Sequence, residues 1–244
     1  MTLPSADTSL SHAVRAGIVA WLSEAPDSFH VKHVEFETEP AAAVDLAGDR
    51  IKVLREFTTD LAARGEELGL IGPLELPRLW TRHVLNSAVL APLIQSDARV
   101  ADIGTGGGMP GLVLAIVRPD AHFLLVEPME RRCIWLNEQI ERLGLSNAEV
   151  RRGRAEEFHG AFEVDQITAR AVTALRKLVP LTAPLVKDGG EMLFLKGAAI
   201  ENEIDAAEKV LRKYRLRDIT IEELGKGQLA ETTRVFRARL GSHG

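Results

Sequence analysis

The segment Val100-Ala101-Asp102-Ile103-Gly104-Thr105-Gly106-Gly107-Gly108-Met109-Pro110-Gly111 limits what this chain can fold into more than any other stretch. A short apolar run enters a glycine-dense turn and leaves it as a second apolar run, Leu112 to Val117. Glycine at such a turn lets the backbone take φ > 0 and lets a ligand approach with no Cβ in the way. A strand, glycine turn and helix in this order belong to an open parallel sheet, whose ligands bind beyond the carboxyl ends of the strands. Gly106, Gly108 and Gly111 satisfy Gly-x-Gly-x-x-Gly, a spacing shared by NAD, FAD and S-adenosylmethionine sites, so the spacing alone does not choose among them.

From Arg99 onward, short β-like runs alternate with amphipathic stretches of helix length, the pattern of a parallel sheet joined by crossover helices. Strands are expected over 100–103, 122–127, 149–152, 166–170, 191–195, 218–222 and 233–240. Helices are expected over 112–118, around Cys133, Leu136, Ile140 and Leu143, over 174–186, and around Ile200, Ile204, Ala207, Leu211 and Tyr214. Lys187-Asp188-Gly189-Gly190 reads as a turn, and residues 225–227 as the bend of a closing hairpin. The fold expected is α/β and Rossmann-like, a seven-stranded, mostly parallel sheet with helices on both faces and an N-terminal helical extension.

Three segments are expected. Residues 98–244 form the sheet domain. Residues 50–97 form a helical segment over one edge of the sheet, with Ile51, Leu54, Phe57 and Leu61 on one helix face and a second helix over 77–90. Residues 1–49 form a poorly defined, acidic lead-in, expected to be mobile apart from one short helix near Ala13, Ile18, Val19 and Leu22. Trp21, Trp80 and Trp135 fall in helical apolar patterns and are expected in the core.

The residues around the turn select the ligand. Asp102, at the end of the first strand, is expected to face the crevice, where it would repel a pyrophosphate and attract an ammonium or sulfonium. Pro110 removes a backbone N–H from the first helical turn, where a phosphate would use one. Glu127, at the end of the second strand, lies about 20 residues past the glycines, where a carboxylate accepts hydrogen bonds from ribose hydroxyls. Together these favour S-adenosylmethionine over NAD, with Asp102, Gly104, Gly106, Gly108 and Glu127 in the cofactor site.

With 45% hydrophobic and 27% charged residues, the chain has an ordinary globular composition. Its longest apolar run is too short to cross a bilayer, and its first residues do not resemble a secretory signal, so a cytoplasmic protein is expected. One cysteine, Cys133, excludes an intrachain disulfide, and no histidine spacing suggests a metal. The net charge of −5 is uneven: residues 1–97 carry 8 basic and 14 acidic side chains, and residues 98–244 carry 22 and 21. A local basic surface is therefore compatible with the sum.

A set of ordered blocks resembles one family. These are Arg82-His83-Val84-Leu85-Asn86-Ser87, the segment from Asp102 to Gly111, Val117-Arg118-Pro119 and Arg131-Arg132. Arg154-Ala155-Glu156-Glu157-Phe158, Thr168-Ala169-Arg170-Ala171 and Leu195-Lys196-Gly197 follow. They resemble ribosomal small-subunit RNA methyltransferase G, the glucose-inhibited division protein B family, over roughly residues 50–240. The resemblance implies a class I S-adenosylmethionine-dependent methyltransferase that methylates guanine N7 in 16S ribosomal RNA of the small subunit. It implies cofactor contacts at Gly104, Met109, Ala155, Glu156 and Arg170. The departures are the residues before 50, and Asn86, where many members carry an acid.

The residues agree with that acceptor. Methyl transfer from a sulfonium is an in-line displacement that depends mainly on positioning. The motif used for exocyclic amines is absent after the fourth strand, where Thr168-Ala169-Arg170-Ala171-Val172 stands instead, and Cys133 is expected in a helix core rather than as a nucleophile. A ring nitrogen carries its own lone pair and needs no base, so no catalytic residue is assigned. Arg131, Arg132, Arg154 and Lys196 are the expected RNA contacts, within a wider set that includes Arg151, Arg152, Arg176 and Lys177. Arg170 is read on the cofactor side, with the substrate side as its alternative. The partner expected is 16S ribosomal RNA or the small ribosomal subunit, met by a monomer without metal or membrane. The rival reading is a methyltransferase for a small molecule or protein.

Overall fold

Central strands that are apolar on both faces need cover on both, and this requirement organises the molecule. The computed structural model describes residues 36–242, which fall within a single unit, Glu35–Gly244. Its seven strands are β1 (Arg99–Ile103), β2 (His122–Glu127), β3 (Ala148–Arg152), β4 (Val164–Arg170), β5 (Val186–Lys196), β6 (Leu216–Leu224) and β7 (Thr233–Leu240). They form one sheet in the order β3-β2-β1-β4-β5-β7-β6. β3, β2, β1, β4 and β5 run parallel, while β7 pairs antiparallel with both β5 and β6.

Successive strand residues point to opposite faces, which divides the core in two. On one face Val100, Phe123, Leu125, Leu193, Leu195 and Val235 meet α2 (Ile51–Arg64), α4 (Gly111–Val117) and α5 (Glu130–Arg142). On the other, Ala101, Leu124, Ile167, Met192, Phe194 and Phe236 meet α6 (Leu175–Thr182) and α7 (Ile200–Lys213). Phe194 and Phe236 stack with ring centroids 5.9 Å apart. Such a pair adds about 1 kcal/mol beyond the area it buries.

Ahead of the sheet, α1 (Ala42–Ala47) and α2 lead into a 3₁₀ turn, a π-helical stretch at Leu79–Leu85 and the single turn α3 (Asn86–Ala88). Two expectations change here. The lead-in is ordered from α1 onward: Ala43 and Ala47 are one helical turn apart and both buried, so the alanine run supplies a core face. The N-terminal helices also cover a face of the sheet and not an edge, since Leu79, Trp80, Val84 and Leu85 share a cluster with Leu193, Leu195 and Val235. The expected helix around Ala13 to Leu22, with Trp21, lies outside the described residues.

A third difference concerns Lys187 to Gly190. The expected turn is an irregularity inside β5, which runs unbroken from Val186 to Lys196. The register with β4 slips between Val164 and Gln166, and Gly189 takes φ 78°. A Cβ on Gly190 would lie 2.7 Å from the Asp165 carbonyl oxygen. The glycines let an extended segment bulge where other residues would clash.

Candidate functional site

The glycine turn is built by two acids. Gly104, Gly106 and Gly108 have φ of 66°, 60° and 102°, a region L side chains rarely adopt. The N–H of Gly104 donates to the Val126 carbonyl at 2.9 Å, which ties the end of β1 to β2. Below the turn, Asp102 accepts the Gly111 N–H at 2.8 Å on one oxygen and the Thr168 hydroxyl at 2.9 Å on the other. A Cβ on Gly111 would stand 2.7 Å from Asp102 Oδ2 and 2.5 Å from Leu125 Cδ2, so only glycine permits this approach. Glu127 accepts the Gly106 N–H at 3.0 Å and the Met129 N–H at 2.9 Å.

This corrects the expected role of Asp102. Its carboxylate faces the interior and is fully buried, with both oxygens engaged. Burial pushes its carboxyl up to about 6. Asp102 therefore braces the turn from beneath and presents no charge to the crevice. The carboxylate of Glu127 is nearly buried but closes the same turn from the side, and two of its lone-pair sites remain for other donors.

Above the turn lies a crevice of about 510 Å³ lined by Leu70, His83, Gly104, Gly106, Arg132 and Arg170 among others. One polar atom on its wall, Arg132 Nε, is buried without a hydrogen-bond partner among the described residues, whereas the Thr105 hydroxyl lies close enough to Asp102 to stabilise its carboxylate. Buried polar atoms are almost always satisfied, and a polar ligand in the crevice would satisfy this one. A Cβ on Gly106 would meet no atom closer than 3.9 Å, so the turn leaves room on its open side. The donor set and the glycine cradle fit an adenosine-type ligand with a charged tail.

The opposite wall is cationic. Arg170, at the end of β4, donates to the Arg82 carbonyl at 3.4 Å and to His83 Nδ1 at 3.3 Å. His83 Nε2 in turn lies 2.6 Å from Glu75 Oε2. With Nδ1 accepting, Nε2 carries the proton and donates to Glu75, so the imidazole is neutral. Burial lowers the His83 pKa and brings that of Arg170 down to about 10, which still leaves the guanidinium charged near neutrality.

The expected RNA contacts separate into two kinds. Arg131 and Arg154 are exposed, as are Arg176 and Lys177 on the first turn of α6. Arg132 and Lys196 are not free. Arg132 donates to the Gly69 carbonyl at 3.2 Å and lies 3.8 Å from Glu127, on the crevice wall. Lys196 is only 8% exposed and donates to the Thr173 carbonyl and to Glu203, both at 2.8 Å. The Lys196 correction follows from packing: the end of β5 turns its side chain inward, between the loop after β4 and α7. Arg151 and Arg152 are exposed but paired with Glu149 and Glu130.

Met109 is buried and lines the crevice, and Ala155 and Glu156 lie on the loop after β3, one buried and one exposed. That loop reaches the site through the Gly153 N–H, which donates to the Glu127 carbonyl at 3.2 Å. Cys133 is buried, its thiol donates to the same carbonyl at 3.1 Å, and burial raises its pKa, all of which suit packing and not attack. Thr168 and Glu203 escaped residue-level reading. Thr168 looked like an ordinary strand residue and Glu203 like the polar face of an amphipathic helix, since no spacing marks a hydrogen bond across the sheet.

Among known proteins, the model of the family described as rRNA small subunit methyltransferase G matches residues 50–231. A ribosomal RNA small subunit methyltransferase G from Clavibacter michiganensis is 60% identical over 84% of this chain and 96% of its own length. One from Leifsonia xyli is 58% identical over 83% and 96%. TYW2 from M. jannaschii, solved in complex with AdoMet, aligns with TM-score 0.54 at 18% identity, over 67% of this chain and 78% of that one. A SAM-dependent O-methyltransferase from Thermotoga maritima aligns with TM-score 0.53 at 17% identity, over 66% of each chain. These two likenesses establish the fold, a class I methyltransferase sheet.

Proposed function

Because the chain belongs to the rRNA small subunit methyltransferase G family, we propose that it methylates N7 of a guanine in 16S ribosomal RNA, using S-adenosylmethionine held over the Asp102–Gly111 turn. The observation that carries the reading is that turn, a positive-φ glycine cradle beside the unsatisfied buried Nε of Arg132. S-adenosylmethionine supplies an electrophilic methyl group on a sulfonium. The protein's own residues bind and orient. Gly104 and Gly106 let the ligand lie against bare backbone, and Glu127 accepts from ribose hydroxyls on its remaining lone pairs. Arg132 offers a polar atom to the same ligand, and Met109, Ala155 and Glu156 complete its surroundings. Gly108 and Asp102 act one layer below, by fixing the shape of the turn.

No base is needed for this acceptor, because guanine N7 attacks with its own lone pair. The buried thiol of Cys133 and the neutral, doubly engaged imidazole of His83 suit no nucleophilic or general-base role. Arg131 and Arg154 meet RNA phosphates, and Arg170 stands where the donor crevice meets the acceptor side. In this reading the protein works in the cytoplasm as a monomer on small-subunit RNA. Among the described residues no helix is long and apolar enough to cross a membrane. Calorimetric titration tests the donor: S-adenosylmethionine should bind stoichiometrically and NAD not detectably, and a preference for NAD would overturn the reading.

A further inference from the structure

A second cavity opens beside the donor crevice, on the side of β4 and β5. It measures about 400 Å³ and is lined by Asn86, Arg170, Lys196, Gly197, Glu203 and Thr233 among others. It shares Asn86, Arg170, Ala171 and Gly197 with the crevice over the glycine turn, so the two spaces adjoin. Its size falls within the ~300–1,000 Å³ usual for small-molecule sites.

The polar groups on its wall are unevenly used. Glu203 Oε2 accepts both the Leu175 N–H, at 2.9 Å, and Lys196 Nζ, at 2.8 Å. Glu203 Oε1 has no partner among the described residues, and the side chain keeps 27% exposure. Asn86 donates one amide hydrogen to Thr233 Oγ1 at 2.7 Å and keeps the other. Among its polar groups the cavity offers a free carboxylate oxygen, whose position is fixed by two hydrogen bonds to its twin, a free amide donor and the Nε of Arg234, which has no hydrogen-bond partner among the described residues.

We propose that this cavity receives the target guanine turned out of its RNA, and that Glu203 reads the base through its N1–H and 2-amino group. The proposal rests on the methyltransferase reading above and names the residue that selects the base. A carboxylate oxygen is an acceptor only, which suits the two donors on that edge of guanine. Adenine presents a lone pair at N1, which the carboxylate repels, so the same group rejects the other purine. The free amide hydrogen of Asn86 suits the guanine O6 acceptor.

Glu203 also acts on the rate. As the bond from N7 to the methyl carbon forms, the carbon–sulfur bond breaks, the sulfur leaves as a neutral thioether and the purine takes up the positive charge. No proton moves in this step. The charge makes N1–H more acidic, so its hydrogen bond to Glu203 is stronger in the transition state than in the ground state. Only interactions of that kind speed the chemical step.

The test compares small-subunit RNA carrying guanosine or inosine at the mapped methylation site, with wild-type protein and Glu203→Gln. Inosine keeps N1–H and N7 and lacks the 2-amino group. Wild-type protein should methylate guanosine about tenfold faster than inosine, the worth of one hydrogen bond to a charged group. In Glu203→Gln the amide oxygen stays with Lys196 and the Leu175 N–H, and the NH2 faces the base. Its guanosine rate should fall tenfold or more and the guanosine-to-inosine ratio should approach one, with S-adenosylmethionine affinity unchanged by calorimetry. A wild-type ratio near one, or a ratio that survives in Glu203→Gln, would overturn the assignment while leaving the methyltransferase reading intact. A poorly folded variant leaves the wild-type ratio to decide. If wild-type protein yields no methylated RNA at all, both readings fall.

Discussion

The two walls of the site use opposite charges for the same purpose. On the β1–β2 side, the anions Asp102 and Glu127 hold backbone N–H groups of the glycine turn. On the β4–β5 side, the cations Arg170 and Lys196 hold backbone carbonyls of Arg82 and Thr173. Each wall is fixed by ion-to-backbone hydrogen bonds, which are stronger than neutral ones. The two walls differ in where free charge remains. Asp102 is fully buried with both oxygens engaged, and Glu127 is nearly buried with two lone-pair sites left, so this wall turns mostly backbone toward the crevice. The cationic wall keeps the open carboxylate oxygen of Glu203 and lies beside the second cavity.

The largest expected effect comes from breaking the anionic wall. Asp102→Ala leaves the Gly111 N–H and Thr168 hydroxyl buried without their acceptor and opens a void, at a cost of about 4 kcal/mol. Urea melts should register that loss, and calorimetry should find S-adenosylmethionine binding abolished. Binding at wild-type affinity would show that the turn holds its shape without the brace.

A pH series sharpens the same side. The Asp102 carboxyl rises from 3.8 to about 6 because it is buried, so ionisation opposes folding. The penalty is absent below the unfolded value, grows between the two values and is complete above about 6. Wild-type protein should therefore lose on the order of 3 kcal/mol of stability between pH 4 and pH 7 that Asp102→Asn retains. Urea melts of both proteins at several pH values would report it, and parallel pH profiles would refute it.

Breaking the cationic wall should cost less. Lys196→Met removes the tie to Thr173 and leaves Glu203 with one partner fewer, at about 2 kcal/mol. Its kcat on RNA should drop while the salt dependence of RNA affinity stays as in wild-type protein, because Lys196 is already paired. Arg154→Ala should do the reverse at about 1 kcal/mol. It should keep S-adenosylmethionine binding, raise KM for RNA and flatten the slope of log affinity against log salt by about 0.7–0.9, the share of one phosphate contact. Filter binding across a salt series separates the two variants, and equal slopes would erase the distinction between tied and free cations.

Much of this was legible before the structure. The strand, glycine turn and helix at Val100 to Leu112 stood out because local periodicity and backbone need coincide there, and β2 and β7 match their expected bounds. The misses share one cause. Asp102 was expected to face the crevice because its position in the motif says which strand end it occupies, while its direction depends on Thr168 and Gly111 across the fold. Lys196 and Arg132 read as free cations because a sequence shows charge and not partners. Gly189 and Gly190 read as a turn because a bulge uses the same residues. Ala43 and Ala47 read as low complexity because two alanines make a helix face only once α2 and the sheet lie against them.

The most direct measurement is to incubate the purified protein with methyl-labelled S-adenosylmethionine and small-subunit ribosomal RNA, then locate the label by mass spectrometry of the nucleosides. Label should appear in 7-methylguanosine and in no other nucleoside. Label on a guanine 2-amino group, on a ribose oxygen or on no RNA at all would contradict it.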